Sequence, residues 1–275
     1  QRVAASRCFM VQYMNFTTLD QLDLYYETHG DPARPPLLLI HGIGADHDMW
    51  RPQIKTLPAA GYFVIVPDLR GHGQSGVPET FRIVDCARDL NDLLDALDIQ
   101  QAHLIGVSMG GMVAQQFGLL YPQRALSLIL VDSLSGATRP FERFNAWLAA
   151  VLLQFFPAKL QAWLIQNTYR RMGHEAVGDY FAERLLSMSS KWLLAARQEV
   201  NRFNIVDKLP DLNVPTLVLV GDAFGKLAVN MARTTAEGIP NAEFEVLPGG
   251  GDPSNLLVPG EFDTAVLTFL GNGRF

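Results

Sequence analysis

A serine framed by glycines, Gly106-Val107-Ser108-Met109-Gly110 with Gly111 directly behind, is the feature of this chain best suited to chemistry. A serine hydroxyl can act as a nucleophile when a tight strand-to-helix turn projects it, and such a turn needs small neighbours. The flanking segments have the required order. Ala102–Val107 is a short apolar run of strand type, and Met109–Leu120 carries a helical pattern. A helix starting at the serine also offers free backbone N–H groups and a favourable dipole to developing negative charge. The chemistry this permits is attack on an acyl carbonyl.

A second glycine loop, His41-Gly42-Ile43-Gly44, closes the apolar run 37–40. Alone it reads equally well as a plain turn after a strand. Beside the serine turn, the N–H of Ile43 and the N–H of Met109 become the two donors of an oxyanion hole.

These motifs need a sheet to position them. Strand-like runs at 37–40, 62–66, 102–107, 126–131, 216–220 and 244–247 alternate with helical segments such as 83–97 and 109–120. That order reads as a mostly parallel sheet with helices on both faces, and 22–27 alternates like an edge strand. From 138 to 207 there is no strand signal, only helical pattern rich in aromatics. The expected organisation is an α/β core made of 1–137 and 208–275, with 138–207 inserted as a helical lid. An apolar pocket is expected where lid meets sheet, with Trp147, Trp163 and Phe224 among its lining residues.

With the loop Pro67-Asp68-Leu69-Arg70-Gly71-His72-Gly73-Gln74-Ser75, the two motifs make the chain resemble the α/β-hydrolase superfamily. The resemblance is to its lidded branch of esterases, C–C bond hydrolases and cofactor-free relatives, and runs from about residue 25 to 270. It implies an α/β-hydrolase fold with a Ser–His–Asp triad. Two of the three triad positions depart from it. Phe224 stands at the triad-acid position after strand 216–220. Asp252 stands where the histidine is expected, after Leu247-Pro248-Gly249-Gly250-Gly251, and no histidine follows His174.

A serine hydroxyl needs a base to take its proton. A carboxylate with a pKa near ~4 is a weak one, but burial under an apolar lid beside Phe224 would raise it. Asp252, shorter than a histidine, is expected to stop a few ångströms from Ser108. Asp222 reads as a turn residue. Asp132 occupies a place where some family members keep a relocated acid, a role left empty without a histidine. Asp68 and Arg70 read as braces of their loop and His72 as scaffold. His41 supports the oxyanion loop, His47 is a lesser candidate for a substitute base, and His29 and His103 read as surface or strand-end residues.

Composition narrows the partners. The formal charge of −6 forms no basic stripe for nucleic acid, and no run of ~18–20 apolar residues spans a bilayer. The first seven residues lack the apolar core of a signal peptide, and two isolated cysteines, Cys8 and Cys86, suit a reducing cytoplasmic compartment. No histidine pair has zinc spacing, so neither metal nor cofactor is expected. Three readings survive for a small apolar substrate. One is carboxylate-base chemistry at Asp252, such as elimination, isomerisation or cyclisation. Another is weak hydrolysis through Ser108, and the third is a non-catalytic binding protein. The intact serine turn and oxyanion loop favour an enzyme.

Overall fold

Runs of leucine, isoleucine and valine with no polar break must be covered on both faces, and the structure, a computed structural model, covers them. It describes residues 12–136 and 156–273. Eight strands form one sheet: β1 (Gln12–Thr17), β2 (Asp23–His29), β3 (Pro36–Ile40), β4 (Phe63–Pro67), β5 (Ala102–Val107), β6 (Ala125–Val131), β7 (Thr216–Gly221) and β8 (Glu243–Leu247). Their spatial order is β1-β2-β4-β3-β5-β6-β7-β8. β1, β2 and β4 pair antiparallel, and the rest are parallel.

Alternation along each strand divides the core into two layers. Leu38, Ile40, Leu104, Leu128, Leu130 and Val218 face one way, against α2 (Ile83–Ala96), α3 (Met109–Leu120) and α7 (Lys226–Gly238). Leu37, Leu39, Ile105, Ile129, Val131 and Leu219 face the other, against α1 (Gln53–Ala59) and α9 (Pro259–Gly271). The C-terminal ends of β5, β6 and β7 are thereby held between two packed layers.

The edge differs from expectation. The strand at 22–27 is second in the sheet, covered by β1. The sequence QYMNFT of β1 mixes polar and apolar residues over too short a run to announce a strand. Between β6 and β7 the described residues hold three helices and no strand: α4 (Ala158–Arg171), α5 (Glu175–Ser187) and α6 (Ser190–Arg202). Trp147 lies outside the described residues, as does Cys8, while Cys86 is buried and free. Among the described residues no helix is long and apolar enough to cross a membrane.

Candidate active site

Ser108 sits at the junction of β5 and α3 with φ 54° and ψ −117°, a strained conformation for a residue with a side chain. The glycines explain how the turn closes. A Cβ on Gly106 would stand 2.2 Å from the carbonyl oxygen of Gly110, and one on Gly110 would stand 2.2 Å from that of Ile40. The turn is pinned by Ser108 N–H donating to Val131 O at 2.8 Å and by Ser133 Oγ donating to Ser108 O at 2.8 Å.

The His41-Gly42-Ile43-Gly44 loop lies against it. A Cβ on Gly42 would be 3.4 Å from Ser108 Cβ. His41 is buried and braces this loop. Leu69 N–H donates to its Nε2 at 3.0 Å, so Nδ1 carries the proton and donates to Gly42 O at 2.8 Å. Burial lowers the pKa of this ring, in keeping with a neutral structural imidazole. Among the described residues, neither Ile43 N–H nor Met109 N–H donates to another protein group.

Asp252 reaches Ser108 directly. Ser108 Oγ donates to Asp252 Oδ2 at 2.8 Å, where the sequence led us to expect a gap of a few ångströms. The backbone makes up for the short side chain. The glycine turn after β8 presses so closely on β7 that a Cβ on Gly221 would lie 1.9 Å from the carbonyl carbon of Gly250. Asp132, expected to have no role, draws in the same turn. It is buried at the end of β6 and accepts from Ser254 N–H at 2.7 Å, Ser254 Oγ at 3.1 Å and Gly221 N–H at 2.8 Å. From the other side Tyr169, on α4, donates its hydroxyl to the backbone oxygen of Asp252 at 2.7 Å.

The electrostatics follow from this packing. Burial raises the carboxyl of Asp252 above the ordinary carboxylate range, opposed by the Ser108 hydrogen bond and by the charge of Arg197 on α6. Burial, and then the neighbouring charge of Asp252, raises Asp132 as well. Burial thus disfavours charge on both of these neighbouring carboxyls.

Several candidates lie elsewhere. His47 is engaged by Asp68, with Nδ1 2.9 Å from Oδ1, and its backbone N–H donates to the same oxygen at 2.7 Å. Burial opposes charge on this ring, but the Asp68 bond and surrounding carboxylates leave its pKa raised. Asp68 also accepts from Gln74 N–H at 2.8 Å, and Arg70 Nε donates to Asp89 at 2.6 Å, so both brace their loop. His72 is buried and its pKa is pushed down to about 3 by burial. His29 and His103 are buried strand-end residues, the last of β2 and the second of β5, paired with Glu27 and Ser127. Asp222 accepts from Gly249 N–H at 2.8 Å, as a turn residue does.

A cavity of about 420 Å³ opens beside the loop that contains Gly44, lined by Gly44, His47, Gln74, Arg184, Met188 and Trp192 among others. Its lining is more polar than expected, and Phe224 and Trp163 are not part of it. Phe224 is 38% exposed on a single 3-10 turn after β7, and Trp163 is 53% exposed on α4. Sequence reading missed Tyr169 and Arg197 as site residues, since no local motif marks a position on an inserted helix. Asp132 had a signal, an acid at a strand end, that was read too narrowly.

The profile of the alpha/beta hydrolase fold family matches residues 35–257, most of the chain, from β3 through β8. The chain belongs to the α/β-hydrolase fold family. Among similar proteins, one named as carbamate hydrolase RutD in Azorhizobium caulinodans is 30% identical, over 90% of this chain and 95% of its own. The 3-oxoadipate enol-lactonase 1 of Acinetobacter baylyi is 28% identical over 87% and 90%. A thermophilic esterase from Thermogutta terrifontis, solved with malate bound, superposes with a TM-score of 0.82 at 30% identity, covering 95% of this chain and 98% of that one. This α/β-hydrolase is an enzyme of a superfamily whose matched members carry hydrolase, lactonase and esterase names.

Proposed function

We propose that this α/β-hydrolase is a slow serine hydrolase of small esters or lactones, in which Asp252 does the work of the missing histidine. The observation that carries this reading is the 2.8 Å hydrogen bond from Ser108 Oγ to Asp252 Oδ2, made to a carboxyl whose basicity burial has raised. As Oγ attacks the acyl carbon, its proton passes to Asp252. The carbonyl oxygen becomes an oxyanion, and the N–H groups of Ile43 and Met109 stabilise it. The neutral carboxyl of Asp252 then returns the proton to the departing alkoxide. Water attacks the acyl-serine next, giving its proton to Asp252, which restores it to Ser108 Oγ as the acid leaves.

Phe224 removes the charge that would orient a histidine and leaves an apolar flank beside the turn. The helices α4, α5 and α6 serve as the lid in this reading, with α4 holding Asp252 through Tyr169. Carboxylate-base chemistry without an acyl-enzyme is the second reading, favoured by the raised Asp252 carboxyl taken alone. The retained strain at Ser108 favours acyl transfer, since proton abstraction by Asp252 has no use for it. The test is turnover of p-nitrophenyl acetate and butyrate by the parent, Ser108→Ala and Asp252→Asn. Acyl transfer predicts measurable hydrolysis that falls about 100-fold or more in both variants. Hydrolysis surviving in Ser108→Ala contradicts it.

A further inference from the structure

Arg197 has no role in that scheme, yet it is half-buried on α6 close to its centre. The placement follows from helical geometry. Leu193, one turn earlier on the same stripe, has its Cδ1 3.8 Å from where a Cβ on Gly44 would stand, so this face of α6 lies over the oxyanion loop. Trp192 and Ala196 on the adjoining stripe are buried and fix the helix, with Trp192 packed edge-on against Phe81. Glu199 accepts from Ile83 N–H and ties the helix to α2. Arg197 is therefore carried into the site on a well-anchored element.

What distinguishes it is the lack of a partner. Among the described residues no carboxylate lies within ion-pair distance of Arg197, and no hydrogen bond satisfies its five N–H donors. The other half-buried or buried arginines are paired: Arg70 with Asp89, Arg124 with Asp95 and Arg184 with Asp46. Asp252 is the carboxylate near enough for its charge to be felt, with no hydrogen bond between the two. A desolvated guanidinium without a bonded partner is costly, and burial accordingly lowers its pKa. Its planar fork is built to hold a carboxylate or phosphate bidentately.

We propose that Arg197 is a substrate-binding residue that receives an anionic group, so that the preferred substrates are esters or lactones bearing a carboxylate on the acyl side. The proposal rests on the hydrolase reading of Ser108 and Asp252 and adds the substrate class to it. A carboxylate seated on Arg197 also takes up the positive charge that Asp252 would otherwise feel. Binding of the correct substrate then makes Asp252 a stronger base, coupling recognition to activation of Ser108.

The experiment compares p-nitrophenyl butyrate with the p-nitrophenyl monoester of glutaric acid, in the parent, Arg197→Gln and Arg197→Lys. The proposal predicts that Arg197→Gln raises KM for the glutarate monoester about ten-fold or more relative to KM for butyrate, the loss of a charge-assisted hydrogen bond, while kcat for the two esters shifts alike as Asp252 loses the nearby charge. Arg197→Lys should recover part of the loss. Equal losses for both esters, with a displaced pH profile, overturn it and make Arg197 a counter-ion that positions and tunes Asp252. Calorimetric titration of glutarate into the same proteins reads binding without turnover. Glutarate should bind the parent and bind Arg197→Gln at least ten-fold more weakly even if neither ester is hydrolysed, which separates failure of the hydrolase reading from failure of this one. Glutarate binding that is absent from the parent, or indifferent to the substitution, overturns the proposal.

Discussion

Ser108 Oγ donates to Asp252 Oδ2 at 2.8 Å, across 144 residues of sequence and between two glycine-lined turns. The bond joins the strained end of β5 to the turn after β8, which Asp132 and Tyr169 hold from opposite sides. A carboxylate thus meets the serine where a histidine would stand, without the longer side chain. In the proposed function it serves as a base of a different kind. Its strength comes from desolvation, where an imidazole would have it intrinsically.

The first prediction concerns restoring the triad. Phe224→Asp together with Asp252→His should raise p-nitrophenyl ester hydrolysis by about 100-fold or more, because the serine turn and oxyanion loop are already formed. Either change alone should do much less, since triad members act as a unit. Steady-state kinetics on the four proteins checks this, and a well-folded double variant no faster than the parent contradicts it.

Asp132 supports a prediction about stability. Its carboxylate accepts from two backbone N–H groups and one hydroxyl. In Asp132→Asn the amide nitrogen has to face one of those donors, leaving it unpaired in the interior. A loss of about 1–3 kcal/mol in urea denaturation is expected, together with reduced activity as the Asp252 turn loosens. Unchanged stability would mean the turn is held by packing alone.

The pH dependence has a definite sign. Only ionised Asp252 can accept the serine proton, so activity should be low in acid and rise with pH through its raised pKa. The half-maximal point of kcat/KM should therefore lie well above the ordinary carboxylate value of ~4. Stability runs the opposite way. A carboxyl whose folded pKa is raised contributes stability fully present below the unfolded pKa and lost as pH rises through the folded one. Asp252→Asn should accordingly be more stable than the parent at pH 8, by about 1–2 kcal/mol, and the advantage should shrink towards pH 4. Thermal unfolding at both pH values measures it.

Much of this site was legible before any coordinates. Gly106 and Gly110 announce the turn around Ser108 because a Cβ at either would collide with backbone, and the parallel strands read as unbroken apolar runs. The direct contact of Asp252 was not legible, since it depends on how far Gly221 lets the Gly250 backbone approach. That is a tertiary distance with no local pattern. Tyr169 and Arg197 were hidden for a related reason. Each lies on a helix whose own sequence says only which face is apolar, and the hydrogen bond of Tyr169 to Asp252, like the nearness of the Arg197 charge, depends on how the helices pack. β1 escaped because its mixed composition gains meaning only once β2 is beside it.

The central claim is that Ser108 attacks the substrate and becomes acylated with Asp252 as its base. Its most direct measurement is the intact mass of the protein after incubation with p-nitrophenyl butyrate and an acid quench, followed by peptide mapping. The account predicts a butyryl adduct on the peptide carrying Ser108, absent in Ser108→Ala and accumulating far more slowly in Asp252→Asn. Turnover of the ester by the parent with no adduct at Ser108, or an adduct that forms equally fast without the Asp252 carboxylate, would contradict it.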